Sequence, residues 1–155
     1  MQQSSDIQSK KFSQVCCTKG TLHTRKDASF QKQLGQNEVL VKVAFSAISQ
    51  YDKIIMECEK QEGKIFGSEG SGTIELVGEG VDSNLIGRKV AFSCDAWSQY
   101  AVKRMDEIIV LDDSVDLRQA AASVINPLTA LCVRKIIKDS GFKSFLIDGA
   151  HSQLG

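Results

Sequence analysis

The sequence predicts a mainly β fold that turns helical towards its C-terminal end. Three observations predict it. Residues 38–49 (EVLVKVAFSAIS) alternate with the two-residue period of a strand, Val39, Val41 and Val43 on one face and Leu40, Lys42 and Ala44 on the other. Residues 63–80 are punctuated by glycine, and 12 glycines against one proline leave the turns resting on glycine. From residue 116 the spacing and composition become those of helix.

The elements follow in order. Residues 12–17 (FSQVCC) read as a short strand, and residues 20–33 as polar sequence with one or two strand-like pieces. Gly35-Gln36-Asn37 supplies the turn into 38–49. Residues 50–60 suit a short helix with Ile54, Ile55 and Cys58 on one side. Residues 73–77 read as a strand, and Gly67, Gly70 and Gly72 before it permit close approach of another segment. Residues 82–87 form a turn. Residues 88–93 form a strand with Val90 and Phe92 inward, and 97–102 and 108–111 form two more. Trp97 reads as core, and Lys103, Arg104, Asp106 and Glu107 as a solvated turn. Asp116 caps a first helical piece through Ala120 to Ala122. Pro127 breaks or kinks the run and suits the first turn of a second helix over 128–138, with Leu128, Leu131, Cys132 and Lys135 at helical spacing. Gly141 stops that helix, and residues 144–148 (SFLID) read as a strand.

Composition excludes several classes. A chain of 155 residues is the size of one domain, by the soft rule of roughly 100–200 residues. Lys and Arg number 19 against 19 Asp and Glu, which argues against nucleic-acid partners and a polybasic membrane surface. With 42% hydrophobic and 25% charged residues, disorder is excluded as well. Five cysteines without a C-x-x-C spacing fit neither a disulfide framework nor a zinc ribbon. They read as small core or boundary residues of a reducing compartment, the cytosol or, alternatively, the mitochondrial matrix. No apolar run approaches the roughly 18 residues of a membrane span. The N-terminus, MQQSSDIQSKK, lacks the apolar stretch of a secretory signal and reads as a polar tail.

The run after residue 143 carries chemistry. A short strand leading into Gly149, Ser152 and Gly155 is how a nucleotide-binding βαβ unit begins, with glycines admitting a pyrophosphate to a helix N-terminus. Taken alone it reads first as a strand end and a loop.

The order EVLVKV, GSEGSG, VGEGV, GRKVAF, WSQYAV, AAASVINPLTAL and FLIDGAHSQLG resembles the N-terminal half of a medium-chain dehydrogenase/reductase, from about Val39 to Gly155. The details are similar to the zinc-independent branch of quinone oxidoreductases and 2-enoyl reductases. The resemblance implies a GroES-like β-barrel catalytic domain, followed by two helices and the first strand of a truncated Rossmann domain. Residues 1–30 would be a polar tail and first strand, 31–125 the GroES-like domain, and 126–155 a helix plus the start of the nucleotide-binding domain. It implies NADPH as cofactor and a small-molecule substrate, a quinone, enal or enoyl thioester. A homodimer is implied only where the Rossmann domain is present.

Zinc members of the family carry a Cys three positions before an Asp, and a His in a G-H-E turn. Here the Asp is Asp52, the Cys position is Ser49 and the His position is Ser68. Hydroxyls bind Zn²⁺ poorly. Of the four cysteines of the family's structural zinc, only Cys94 stands in that segment, so no zinc is expected. Thr129 matches a family threonine lying against the nicotinamide; its other reading is a hydroxyl bonded back to the helix backbone. Asn126 is a cofactor contact by resemblance or a cap of the second helix. Ser49 stands at the family's Asn in the cofactor cleft, with Gln50 in place of its Pro. Tyr51 is the nearest phenol to act as acid, displaced from the family's tyrosine, and is otherwise a half-buried tyrosine. Glu69 reads as a structural hydrogen-bonding residue. The catalytic candidates are therefore Tyr51 and Thr129; the cofactor candidates are Ser49, Asn126, Thr129, Gly149, Ser152 and Gly155.

Two functions compete. One is the catalytic-domain portion of an NADPH-dependent reductase, inactive as these residues alone because a dinucleotide fold needs further βα units. The other is a non-catalytic GroES-like interaction module, favoured by the missing Asn-Pro and phenol.

Overall fold

The computed structural model describes residues 7–58, 62–148 and 151. In chain order the elements are β1 (Phe12–Thr18), β2 (Thr21–Ala28), β3 (Glu38–Ser46), α1 (Gln50–Cys58), β4 (Glu69–Val77), β5 (Lys89–Ser93), β6 (Tyr100–Arg104), β7 (Ile108–Val110), α2 (Leu117–Ala120) and α3 (Ile125–Ser140). β3 to β7 form one antiparallel sheet in the order β6-β3-β4-β5-β7, and β1 and β2 form a hairpin.

The valine-rich alternation of β3 suits an interior strand, paired to β6 on one side and β4 on the other. Val39 and Val41 are fully buried against Ile74 of β4 and Val90 and Phe92 of β5, and Leu40 between them is fully buried as well. Two register shifts interrupt the β3–β4 pairing, between Leu40 and Val41 and between Val43 and Phe45. Ala91 is buried too, because Ala120 of α2 and Val124, which precedes α3, cover it. β1 is stitched to the same body. Val15 donates to Trp97 O at 2.7 Å, Cys17 to Lys64 O at 2.9 Å and Gln99 to Ser13 O at 2.9 Å.

Several elements differ from the sequence expectation for physical reasons. β4 begins at Glu69 rather than residue 73, because Gly70 and Gly72 are part of the ladder. A Cβ on Gly72 would lie 2.2 Å from Lys42 O, so glycine is what brings β3 and β4 into hydrogen-bond range. β6 runs over Tyr100–Arg104 rather than 97–102, since residues 97–99 bond to β1. Lys103 consequently lies in a strand, 5% exposed and paired to Asp95 at 2.9 Å, and not in a solvated turn. The expected apolar side of α1 faces out: Ile54 and Cys58 are exposed, and Asp52 is the helix's buried residue. Cys94 and Cys132 are exposed as well, leaving Cys16 and Cys17 as the buried thiols.

α3 starts at Ile125, with Pro127 inside its first turn, where the missing N–H costs nothing. Gly141, at φ 68°, ends it as expected. Leu128, Leu131 and Cys132 are all exposed, and no residue of α3 is buried. Residues 144–148 are in neither sheet, although they read as a strand. A strand needs a neighbour to bond to, and none is present for them among the described residues.

The Gly72 contact yields a prediction. Gly72→Ala should force β3 from β4 and destabilise the fold by about 1–3 kcal/mol, the usual cost of overpacking. Urea unfolding checks it: the midpoint should fall at unchanged slope.

Candidate functional site

The site is built where β3, α1 and β4 meet. Ser49 precedes α1 and Asp52 stands in its first turn, the spacing of a capping box with Asp in the usual Glu place. The Ser49 N–H donates to Asp52 Oδ2 at 2.7 Å and the Ser49 hydroxyl to the same oxygen at 2.9 Å. The Asp52 N–H returns a bond to Ser49 Oγ at 3.3 Å. These bonds fix the entry into α1.

Asp52 also reaches across the fold. It is 2% exposed, and its other oxygen accepts the Ser68 N–H at 2.8 Å. One carboxylate thus holds Ser49 and Ser68 to the same centre. The Gly67 turn that presents Ser68 has φ 97°, and a Cβ there would meet Trp97 N at 2.4 Å. Trp97 is half-buried, and its indole N–H donates to Ala47 O at 3.2 Å, bracing the approach to Ser49. The Ser68 Oγ is buried and has no hydrogen-bond partner.

The next residue makes a second link. Glu69, 3% exposed, accepts the N–H groups of Val124 and Ile125 on Oε2, both at 2.9 Å. This is the root of α3, where Val124 holds the N-cap position without a side-chain cap of its own. Asn126 therefore does not cap the helix: it lies inside the first turn, and a carboxylate from β4 does the capping. The Thr129 hydroxyl donates to Ile125 O at 2.7 Å, its backbone-bonded reading. Ser49, Asp52, Ser68, Glu69, Ile125 and Thr129 thus form one hydrogen-bonded chain through the backbone.

Tyr51 is not drawn in. It is 52% exposed and has no hydrogen-bond partner among the described residues, so it is not the half-buried tyrosine of the alternative reading. Ile48 and Ile54, three residues to either side of it in the chain, are exposed as well. Gly149, Ser152 and Gly155 lie outside the described residues. Among the described residues, no group of three or more His, Cys, Asp or Glu is placed to hold a metal ion. The hub role of Asp52 had a visible signal, the S-x-x-D spacing. The partner of Glu69 had none, because it lies 55 residues away in the chain.

Comparison with known proteins decides the family. Residues 35–111 match the alcohol dehydrogenase GroES-like domain. A quinone oxidoreductase of Pseudomonas aeruginosa is 31% identical over 93 residues, 57% of this chain and 29% of that protein. A Mesorhizobium loti protein assigned as an NADPH:quinone reductase superposes with a TM-score of 0.74 at 29% identity, over 93% of this chain and 48% of that one. The chain belongs to the medium-chain dehydrogenase/reductase superfamily. Its neighbours lie in the quinone and enoyl reductase branch; a Bacillus thuringiensis protein assigned as an NADPH:quinone reductase gives a TM-score of 0.71 at 26% identity, over 85% of this chain and 42% of that one. The chain spans about half, or less, of the length of these dehydrogenase/reductase relatives.

The geometry ranks the site residues by stability. Asp52→Ala strands the Ser49 and Ser68 donors and should cost about 2–4 kcal/mol, since each bond to a charged group is worth about 1.5–3. Ser49→Ala removes only a cap and should cost about 1 kcal/mol. Equal losses in paired urea titrations would contradict the hub assignment.

Proposed function

We propose that the full-length protein is an NADPH-dependent, zinc-independent oxidoreductase that reduces quinones, enals or enoyl thioesters by hydride transfer. One observation carries this reading. The two positions where zinc members of the family hold ligands are here Ser49 and Ser68, and both are tied to Asp52. The centre keeps its convergence while its donors are hydroxyl and amide groups, a poor set for Zn²⁺. The similarity to quinone oxidoreductases agrees with it.

The residues fit a nicotinamide cofactor. Ser49, Asn126 and Thr129 would hold its nicotinamide end, and Gly149, Ser152 and Gly155 its pyrophosphate. When bound, NADPH supplies the hydride. The buried, unpartnered Ser68 Oγ leaves hydrogen-bonding capacity at the same centre. The Thr129 proton is committed to Ile125 O, so its oxygen acts as an acceptor towards an amide N–H. The Tyr51 phenol, exposed and unpartnered, is available to protonate the reduced acceptor. The same reading divides the chain into a tail and first strand over 1–30, the GroES-like domain over 31–125 and a helix with the beginning of a nucleotide-binding domain over 126–155.

The test is NADPH oxidation by the full-length protein with quinone and enal acceptors. Chelation should leave the rate unchanged, and Tyr51→Phe should lower kcat by about 100-fold, the lower end of general-acid contributions. Alcohol oxidation abolished by a chelator would sink the zinc-independent reading.

A further inference from the structure

We infer that Glu69 is a positioning residue: its buried carboxylate fixes helix α3, and with it Asn126 and Thr129, against the turn that Asp52 holds. An α-helix leaves its first four N–H groups without intrahelical partners. In α3 these belong to residues 124–127, because Leu128 N–H is the first to find a carbonyl of the helix, Val124 O at 3.1 Å. Pro127 has no N–H to satisfy. Glu69 takes two of the remaining three, at 2.9 Å each. A carboxylate at a helix N-terminus also opposes the positive end of the helix dipole.

Packing makes this contact decisive. α3 has no buried residue, so its flank gives it no fixed seat on the described part of the fold. Sixteen residues make a rod of about 24 Å at 1.5 Å per residue. A small tilt at the root therefore displaces the far end by several ångströms. The chain entering the helix meets the core at Val124, 9% exposed beside Ala91 and Ala120 and three residues after the buried Ala121. Glu69 follows Ser68 directly, so the root of α3 and the Asp52 centre share one rigid turn. That Thr129 needs this position to meet a cofactor rests on the function proposed above; the anchoring of the helix does not.

The experiment uses the chain itself. Amide hydrogen exchange read by NMR should show Val124 and Ile125 protected as strongly as the interior of α3, which an uncapped first turn never is. Glu69→Ala should accelerate those two amides at least tenfold relative to the α3 interior of the same variant, and Glu69→Gln, which keeps an acceptor oxygen, should restore most of the protection. Spin labels on the exposed Cys94 and Cys132, in a Cys58→Ser background, report the orientation. Their distance distribution should be narrow with Glu69, broad with Ala and narrow again with Gln, while circular dichroism shows the sheet intact. Should Glu69→Ala fail to fold, the exchange of Val124 and Ile125 in the unmodified chain decides. Free exchange there, or an Ala variant with unchanged exchange and distances, would overturn the inference. Failure of the full-length protein to oxidise NADPH would overturn the proposed function and leave these readings unaltered.

Discussion

Two buried carboxylates, Asp52 and Glu69, hold the functional end of this fold together. Burying a charge is expensive unless each lone pair finds a donor. Here the donors are backbone N–H groups from three separate stretches: the entry to α1, the Gly67–Ser68 turn and the root of α3. Satisfying the acids therefore requires the elements to meet. In this chain the converging groups are bound to one another.

The barrel supplies the rigidity that this requires. Val39 to Val41, Ile74, Val90 and Phe92 pack the strands, and Gly72 lets β3 and β4 approach. Gly67 serves the site more directly, since its left-handed backbone turns the Ser68 N–H towards Asp52 and passes close beneath Trp97. α3 then leaves the barrel as an exposed rod whose apolar residues, Leu128, Leu131 and Ile136, face solvent. The described residues thus comprise a well-packed half and a helix defined mainly at its root.

Much of this was legible in the sequence, for identifiable reasons. Local signals carried well: the β3 alternation, Asp116 as cap, Gly141 as stop and Pro127 in a first turn all depend on neighbours within a few residues. Signals that depend on distant partners did not carry. Lys103 looked solvated because Asp95, its ion-pair partner, lies on another segment. Trp97 and Ser98 looked like part of β6, but β1 competes for their hydrogen bonds. Asn126 looked like a helix cap by propensity, yet a buried acid from β4 holds that place. The strand expected at 144–148 needs a sheet to join, and pairing is not a property of one segment.

Asp52 and Glu69 act as one framework through the Ser68–Glu69 turn. A double-mutant cycle with Asp52→Asn, Glu69→Gln and the pair, measured by urea unfolding, tests it most directly. Independent sites add to within about 0.3–0.5 kcal/mol, whereas members of one hydrogen-bond network couple by about 0.5–3. The coupling energy between the two acids should exceed about 0.5 kcal/mol. Strict additivity of the two substitutions would contradict it.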